Sequence, residues 1–438
     1  MSVYDYKSKS SLAGEENSKS GPALGPLSEP LLLENNVQVL LNRFLGLHSF
    51  GASVAVNYGS LFEVPAINGS AHFLEHMLFK GTKKRTWKEE SALVESSGME
   101  WNATTTKELT NFYFSGRPNT LPLAIDILAD RIKNATLPPD ELESERGPVT
   151  NEIRADTDDP EWAAHIGLEK ALFSDVLCVD TVGTEDAMSK ISRDKLFDIY
   201  QRNYTPDNII ISVYGKFSYE KALNLVKENF GDFDRQYGGM SPSLGFTYPK
   251  AGDHVSESNG ITSPISFMGF RLPGVREIND KDDSLWPSVE TLTYVLDDYT
   301  TDTLINELRL ATEAGVWTEY NKNLGGLFLY MRTNDSKLES TRDLIVKKLD
   351  SIILGETSEE ELKACTRRMN IHDERHLDNS SRMARALARN QMLYGRNSIL
   401  TSPVNRESIM KYAELYLNPK YLVSFSLVPK KQEQISCS

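Results

Sequence analysis

The sequence contains few cysteines and no long apolar run. Its three cysteines, Cys178, Cys365 and Cys437, lie far apart and include no C-x-x-C pair. Neither a disulfide framework nor a zinc site built from thiolates is therefore predicted. No stretch approaches the roughly 18 consecutive apolar residues that a membrane-spanning helix requires. The amino-terminal residues lack both the apolar centre of a signal peptide and the Arg-rich pattern of a transit peptide, so we expect neither export nor a membrane span.

Basic side chains are the minority among the charged residues. The chain has 48 Lys and Arg against 62 Asp and Glu, which gives a formal net charge of −14. This excess of negative charge disfavours sequence-independent binding to nucleic acid phosphates or to anionic lipid. Neutral or basic polypeptides are the macromolecular partners that the charge favours.

The length and composition predict two globular domains. A chain of 438 residues is longer than one hydrophobic core usually organises, and its 39% apolar and 25% charged residues are typical of globular proteins. We predict a mobile tail over 1–35, a first domain over 36–235, a linker rich in Gly, Pro and Ser over 236–252, and a second domain over 253–438.

Short β-rich runs alternate with amphipathic helical patterns in both halves. This alternation predicts an α+β fold in which a mixed sheet packs against helices. The two halves also end in the same pattern. A predicted helix precedes YTPDNIIISV in the first half and YLNPKYLVSF in the second. We therefore predict two homologous repeats of about 200 residues each. The strand candidates are 53–58, 110–114, 209–214, 265–271, 327–332 and 421–427.

The segment NGSAHFLEHMLFKGT carries His72, Glu75 and His76 in the spacing H-x-x-E-H. On a helix of about 3.6 residues per turn, His72 and His76 lie one turn apart on the same face, so both imidazoles can reach one metal ion. Glu75 lies beside them, where its carboxylate can take a proton from a metal-bound water. The plainer alternative is an ordinary helix face, since short motifs of this kind also arise by chance.

A catalytic zinc site needs a third protein ligand and an open position for water. The segment DELESERGPVTNEIRAD offers Glu145 and Glu152, which are seven residues apart and share a face if the segment is helical. We predict that Glu152 is the third ligand and that Glu145 is an auxiliary carboxylate. Pro148 lies between them and should kink the helix, because proline removes a backbone hydrogen bond.

A second pair of histidines, His372 and His376, lies in IHDERH. The spacing imitates another zinc-protease motif, H-E-x-x-H, with aspartate in place of glutamate. Aspartate is one methylene shorter and is badly placed to act as the base, and the flanking segment is long, basic and polar. A solvated or interface-facing helix is therefore the preferred interpretation.

These motifs resemble those of the pitrilysin and insulinase metallopeptidases, the inverzincins, and within them the half-length group that includes the mitochondrial processing peptidase β subunit. AHFLEHMLFKGT is similar to the family signature almost throughout, and SERGPVTNEI is similar to its E-R-x-x-x-x-x-E segment. That similarity places the family's glutamate ligand on Glu152 and also identifies Glu145. WNATTTKELTNFYF resembles the family's N-A-x-T strand. The resemblance covers the first domain nearly from end to end.

The second domain resembles the family less closely. DTLINELRLATEAGVWTEY is similar to the segment that carries an Arg and, seven residues later, a Tyr. Arg309 matches the Arg, but Val316 occupies the position of the Tyr. Only an insertion would bring Trp317 or Tyr320 into register, so the residue that replaces the Tyr is left open.

The resemblance implies one zinc ion per chain and the pairing of two identical or related chains around a chamber. It also implies that an extended peptide binds by adding a strand to a sheet edge. Asn102 and Ala103 lie in the strand that would offer this edge, and Arg309 would orient the substrate.

We therefore predict a zinc metalloendopeptidase that hydrolyses extended or unfolded polypeptides, in the cytoplasm or in the matrix of a mitochondrion-type organelle. One alternative is the β-type subunit of a presequence-processing heterodimer, which the lack of a transit pattern disfavours. A second alternative, from another class, is a non-catalytic core subunit. The presence of all four motif residues disfavours it.

Overall fold

The first half of the chain forms one sheet with helices packed against it. The computed structural model of the protein describes residues 27–173, 180–239, 251–275, 284–395 and 404–430. The strands of the first half are β1 Leu31–Leu32, β2 Gln38–Arg43, β3 Phe50–Val56, β4 Glu100–Thr105, β5 Thr110–Gly116 and β6 Ile209–Gly215. Its helices are α1 Ser70–Leu78, α2 Trp87–Ser97, α3 Leu121–Asn134, α4 Pro139–Asp158, α5 Pro160–Phe173, α6 Glu185–Lys190, α7 Arg193–Asn203 and α8 Tyr219–Phe230.

The second half forms a second sheet with its own helices. Its strands are β7 Gly252–Ser258, β8 Ile265–Pro273, β9 Ala311–Tyr320, β10 Leu324–Thr333 and β11 Val423–Pro429. Its helices are α9 Leu285–Asp298, α10 Leu338–Ile353, α11 Glu359–Leu377, α12 Ser380–Tyr394 and α13 Arg406–Tyr416, and a π-helical segment, Tyr299–Glu307, continues α9. Among the described residues, no helix is both long enough and apolar enough to cross a lipid bilayer.

The two sheets have the same topology. The first has the strand order β1-β2-β6-β3-β5-β4 and the second has the order β7-β11-β8-β10-β9. In each sheet one pair is parallel, β2 with β6 and β7 with β11, and the other pairs are antiparallel. Without β1, each strand of one sheet has a counterpart in the other. The predicted α+β fold with two homologous repeats is confirmed.

Each predicted strand coincides with an observed strand, but some ends are displaced. Strand β3 begins at Phe50, three residues before the predicted start, and every residue in it is buried. A strand that is buried on both faces lacks the alternation that marks strand ends in a sequence. Helix α2 opens with a capping box formed by Thr86 and Glu89, and Gly98 ends it in the left-handed conformation with φ 66°.

The predicted tail and linker fall largely on residues that the structure does not describe. Within the described part of the tail, Leu31 and Leu32 pair with Val39 and Gln38. Regular structure is therefore present before residue 36. Strand β1 covers the edge of the sheet that β2 would otherwise expose.

Each half contributes one helix to the sheet of the other half. Helix α12 packs on β3 and β6, and α5 packs on β8 and β11. Both approaches are close: a Cβ on Gly51 would lie 2.0 Å from Ser380 O, and one on Gly167 would lie 2.6 Å from the Phe425 ring. The largest hydrophobic core accordingly includes α5 together with residues of both sheets.

Candidate metal centre

Helix α1 carries the H-x-x-E-H motif. Its apolar residues, which include Phe73, Leu74 and Met77, are buried in the main hydrophobic core. His72 and His76 are only partly buried and lie one turn apart, with ring centroids separated by 4.6 Å. The helix packs against α4, which carries the acidic segment. The two motifs found in the sequence therefore meet in the fold.

The first turn of α1 is held by a buried carboxylate that the sequence analysis missed. Glu63 accepts hydrogen bonds from the backbone N–H groups of Ala71 at 2.6 Å and Gly69 at 2.7 Å, and from Ser70 Oγ at 3.0 Å. Burial raises the pKa of Glu63 to about 7, although these hydrogen bonds oppose the increase. Because Glu63 lies outside α1 and comes after a separate turn, no standard capping motif reveals it.

We expect Glu63→Gln to destabilise the fold by about 1–3 kcal/mol, because the amide nitrogen would face one of the two backbone N–H donors and leave it unsatisfied. Urea unfolding of both proteins measures this difference. The matched control is Glu34→Gln, which removes the charge of an exposed residue and should change stability by less than about 0.5 kcal/mol. Equal stability of Glu63→Gln and the unmodified protein would show that the carboxylate does not hold this turn.

Three of the predicted residues converge on one point. His72 Nε2 lies 3.2 Å from His76 Nε2, and Glu152 Oε2 lies 3.6 Å from the former and 3.5 Å from the latter. One ligand atom from each of the three side chains lies within 4.8 Å of the others. This arrangement brings the predicted ligand set together on two helices.

Glu145 contacts the second nitrogen of one histidine. His76 Nδ1 lies 2.9 Å from Glu145 Oε1, and Lys80 Nζ pairs with the other oxygen of the same carboxylate. Burial alone would raise the pKa of Glu145, but the hydrogen bonds from His76 and Lys80 outweigh it and lower that pKa. An ionised Glu145 accepts a hydrogen bond from the N–H at Nδ1, which leaves Nε2 facing Glu152. Lys80 was not singled out in the sequence.

Helix α4 is continuous from Pro139 to Asp158 and passes through Pro148. Its buried residues, Leu142, Val149 and Ile153, pack into the core and leave the acidic face toward α1. The proline that was expected to kink the helix therefore does not separate Glu145 and Glu152 from the histidines.

The electrostatics of the cluster favour a bound cation. Burial and the neighbouring His76 lower the pKa of His72 to about 4, so its ring is neutral near pH 7. Burial acts in the same direction on His76, but the hydrogen bonds with Glu145 and Glu152 outweigh it and raise its pKa to about 9. Without a metal ion, a proton on His76 therefore balances the two carboxylates.

The donor set fits a zinc ion. Two imidazole nitrogens and one carboxylate oxygen are the ligands of known catalytic zinc sites, which leave one position open. A metal ion would replace the proton between His76 and Glu152, since ligating imidazole must be neutral. His72 Nδ1 is buried and has no hydrogen-bond partner within the described residues. The His72 ring therefore lacks an orienting contact like the one that Glu145 makes with His76 Nδ1.

Glu75 lies next to this cluster and is not one of its three members. Its Oε2 accepts a hydrogen bond of 2.5 Å from Thr105 Oγ1. Burial raises the pKa of Glu75, and the Thr105 hydrogen bond opposes that increase. The Glu75 side chain lies beside the ligand cluster, and its contact with Thr105 leaves no signal in the sequence.

Asn102 and Ala103 lie in β4, the edge strand of the first sheet. Within the described residues β4 pairs only with β5, so its outer edge is available to another strand. Ala103 is buried, whereas Asn102 is exposed and its Oδ1 accepts the N–H of Ala103 at 2.8 Å.

The structure does not bring Arg309 into contact with the cluster. Arg309 lies just before β9 with φ 51°, and its carbonyl accepts a hydrogen bond from Lys337 Nζ at 2.9 Å. Tyr320 is buried in the core of the second half, and Trp317 stacks on Phe328 with ring centroids 5.5 Å apart. Both candidate replacements for the substrate-orienting Tyr are therefore engaged in packing.

His372 and His376 lie on α11, the counterpart of α4, with ring centroids 4.2 Å apart. Burial lowers the pKa of His376 to about 4, and the positive charge of Arg382 contributes to the decrease. In the part of the chain that the structure describes, they belong to no group of three metal-ligating side chains. The pattern IHDERH therefore does not form a second metal site there.

Comparison with known proteins gives two family matches. Residues 46–183 match the profile of the insulinase family of peptidases, M16, and residues 190–369 match the M16 inactive domain. The uncharacterised zinc protease YmxG of Bacillus subtilis is 26% identical over 85% of this chain and 90% of its own length. The human mitochondrial-processing peptidase subunit beta is 34% identical over 45% of this chain and 41% of its own.

The chain spans about half the length of several other curated relatives that it matches. An uncharacterised zinc protease of Streptomyces coelicolor is 28% identical over 52% of this chain, and the alignment spans 49% of the relative.

The crystal structure of a protease from Helicobacter pylori superposes with a TM-score of 0.82 at 21% identity, covering 92% of this chain and 99% of that one. A chain of complex III from Candida albicans gives a TM-score of 0.73 at 13% identity, covering 91% and 95% of the two chains.

The structural matches show the shared fold, and the two profile matches together extend across both repeats. This chain belongs to peptidase family M16, the insulinase family.

Proposed function

We propose that this chain is a zinc-dependent metalloendopeptidase. The observation that carries the proposal is the convergence of ligand atoms from His72, His76 and Glu152 within 4.8 Å of one another. The relatives named as zinc proteases support the same chemistry. His72, His76 and Glu152 would hold one zinc ion. When bound, zinc supplies Lewis acidity, which polarises a peptide carbonyl and lowers the pKa of water.

The chain's own side chains account for the remaining chemistry. Glu75 takes the proton from the attacking water and passes it to the leaving amine. Glu145 keeps the proton of His76 on Nδ1, so that Nε2 is available as a ligand, and Lys80 keeps Glu145 ionised.

An extended polypeptide is the substrate class that fits the edge of the first sheet. A peptide that adds a strand to the outer edge of β4 would run past Asn102 and Ala103 and gain main-chain hydrogen bonds. Such recognition depends little on side-chain identity, so we propose a broad sequence preference. Within the described residues, Arg309 has no contact with the cluster. A role for Arg309 in orienting the substrate would therefore require the substrate or a second chain to move it.

The acting unit that we propose is a pair of identical or related chains. A second candidate function, the β-type subunit of a presequence-processing heterodimer, is favoured by the 34% identity to the human processing peptidase subunit over 200 residues. A homodimer should cleave peptides alone, whereas a subunit of this kind should require a different partner chain.

We expect the purified chain to bind about one zinc ion and to cleave a quenched, unstructured peptide. Glu152→Gln should weaken zinc binding by at least about tenfold, because it removes a charged ligand. The matched control is Glu143→Gln, an exposed residue of the same helix, which should leave zinc binding unchanged. Metal analysis and titration with a chelating indicator measure both.

Chelation should abolish cleavage, and added zinc should restore it. Zinc binding without cleavage by the chain alone would favour the heterodimer subunit or the non-catalytic core subunit. Absence of stoichiometric zinc would contradict the metallopeptidase proposal.

A further inference from the structure

Thr105 joins the proposed general base to the edge strand. It is the last residue of β4, and its Oγ1 donates a hydrogen bond of 2.5 Å to Glu75 Oε2. Helix α1, which carries Glu75, packs against β4. The proposed base is therefore held from outside its own helix, by the strand that offers the sheet edge.

The direction of the Thr105 hydroxyl is set by its neighbours. Thr110 is the cross-strand partner of Thr105, and its own hydroxyl donates to Tyr58 O at 2.9 Å. The two threonine hydroxyl oxygens lie 3.4 Å apart, a longer contact than either of these hydrogen bonds. Because an ionised carboxylate only accepts, the proton of Thr105 is directed to Glu75.

The two oxygens of Glu75 have different surroundings. Oε2 accepts the Thr105 hydrogen bond, and Oε1 has no hydrogen-bond partner among the described residues. One oxygen is thus fixed, and the other is left to receive a proton. A glutamate side chain has three rotatable bonds, and a hydrogen bond to the charged group is among the stronger contacts that can fix its conformation.

We propose that Thr105 is a positioning residue, whose hydroxyl fixes the Glu75 carboxylate for proton transfer and links it to the edge strand. This inference rests on the proposed role of Glu75 as the base. The Thr105 side chain acts through Glu75 and does not touch the reacting atoms.

The test compares Thr105→Val, which removes the hydroxyl but keeps the shape, with Thr105→Ser, which restores it. Since displacing a reacting group by about 1 Å costs roughly 100-fold, we expect Thr105→Val to lower kcat by about 10- to 100-fold with KM and zinc content unchanged. Thr105→Ser should remain within about threefold of the unmodified enzyme. Thr104→Val is the matched control, because Thr104 lies on the opposite face of the same strand and should have no such effect.

Crystal structures of the unmodified protein and of Thr105→Val give a second readout that needs no activity. We expect one Glu75 conformer in hydrogen-bond contact with Thr105 in the former, and a displaced or multiple Glu75 carboxylate in the latter. An unchanged Glu75 in Thr105→Val, or equal loss of kcat in the Val and Ser variants, would overturn the inference. Failure of the proposed function would give a different result. Cleavage would then be absent, or it would be equal with and without the Glu75 carboxylate. The crystal comparison would still decide whether Thr105 positions Glu75.

Discussion

Glu75→Gln is expected to reduce kcat for peptide cleavage by about 10²–10⁴-fold while leaving zinc bound. Glutamine has nearly the same shape as glutamate, but its amide cannot take a proton from water, and general base catalysis contributes a factor of this size. Its carbonyl oxygen can still accept the hydrogen bond from Thr105. Since Glu75 is not among the three converging ligands, the metal content should stay at about one zinc per chain.

The matched control for Glu75→Gln is Glu95→Gln, which makes the same chemical change at an exposed position of α2. It should retain both activity and zinc. Metal analysis and steady-state cleavage of a quenched peptide, run on the same preparations, separate the two properties. If Glu75→Gln lost zinc in proportion to activity, Glu75 would have to be reassigned as a structural element of the metal site.

The proposed ligand set could be predicted from the sequence because its determinants are local. The spacing of His72 and His76 on α1, and of Glu145 and Glu152 on α4, follows from the helical repeat alone. The contacts that fix these side chains come from distant segments and leave no periodic signal. Glu63, Lys80 and Thr105 became apparent only from the hydrogen bonds that they make.

The two-repeat fold could be predicted for a similar reason, since each half carries its own alternation of strand and helix patterns. The exchange of α5 and α12 between the two sheets could not. An apolar helix face requires burial, but its pattern does not specify which sheet buries it. Gly51 and Gly167 permit the close approaches, and nothing in the sequence distinguishes them from glycines in turns.

Arg131→Met is expected to destabilise the fold by about 3–5 kcal/mol, because it leaves the buried carboxylate of Glu90 without its partner. Arg131 is 0% exposed, and its Nε and Nη2 donate to Glu90 Oε1 at 2.8 and 2.5 Å. The guanidinium carbon also lies 4.2 Å from the ring centroid of Phe79 and 4.1 Å from that of Trp101. This pair joins α2 to α3, and the guanidinium contacts Trp101 of β4, so the loss of Arg131 should be measurable as a lower urea midpoint.

The pH dependence of this destabilisation has a definite sign. Burial raises the pKa of Glu90, and the charge of Arg131 opposes that increase. Removing Arg131 therefore raises the pKa further, and a carboxyl whose pKa is raised in the folded state contributes stability at low pH that is lost as the pH increases. The difference between Arg131→Met and the unmodified protein should therefore grow as the pH increases above about 4–5, where an exposed glutamate ionises.

The double variant Glu90→Leu/Arg131→Met distinguishes the lost ion pair from lost packing. Replacing both members by apolar groups removes the unpaired charge, so the double variant should recover most of the stability and lie within about 2 kcal/mol of the unmodified protein. Lys190→Met, which breaks an exposed pair with Asp186, is the control and should cost no more than about 0.5 kcal/mol. A double variant as unstable as Arg131→Met would show instead that the contacts of the guanidinium with Phe79 and Trp101, and not its charge, hold this part of the fold together.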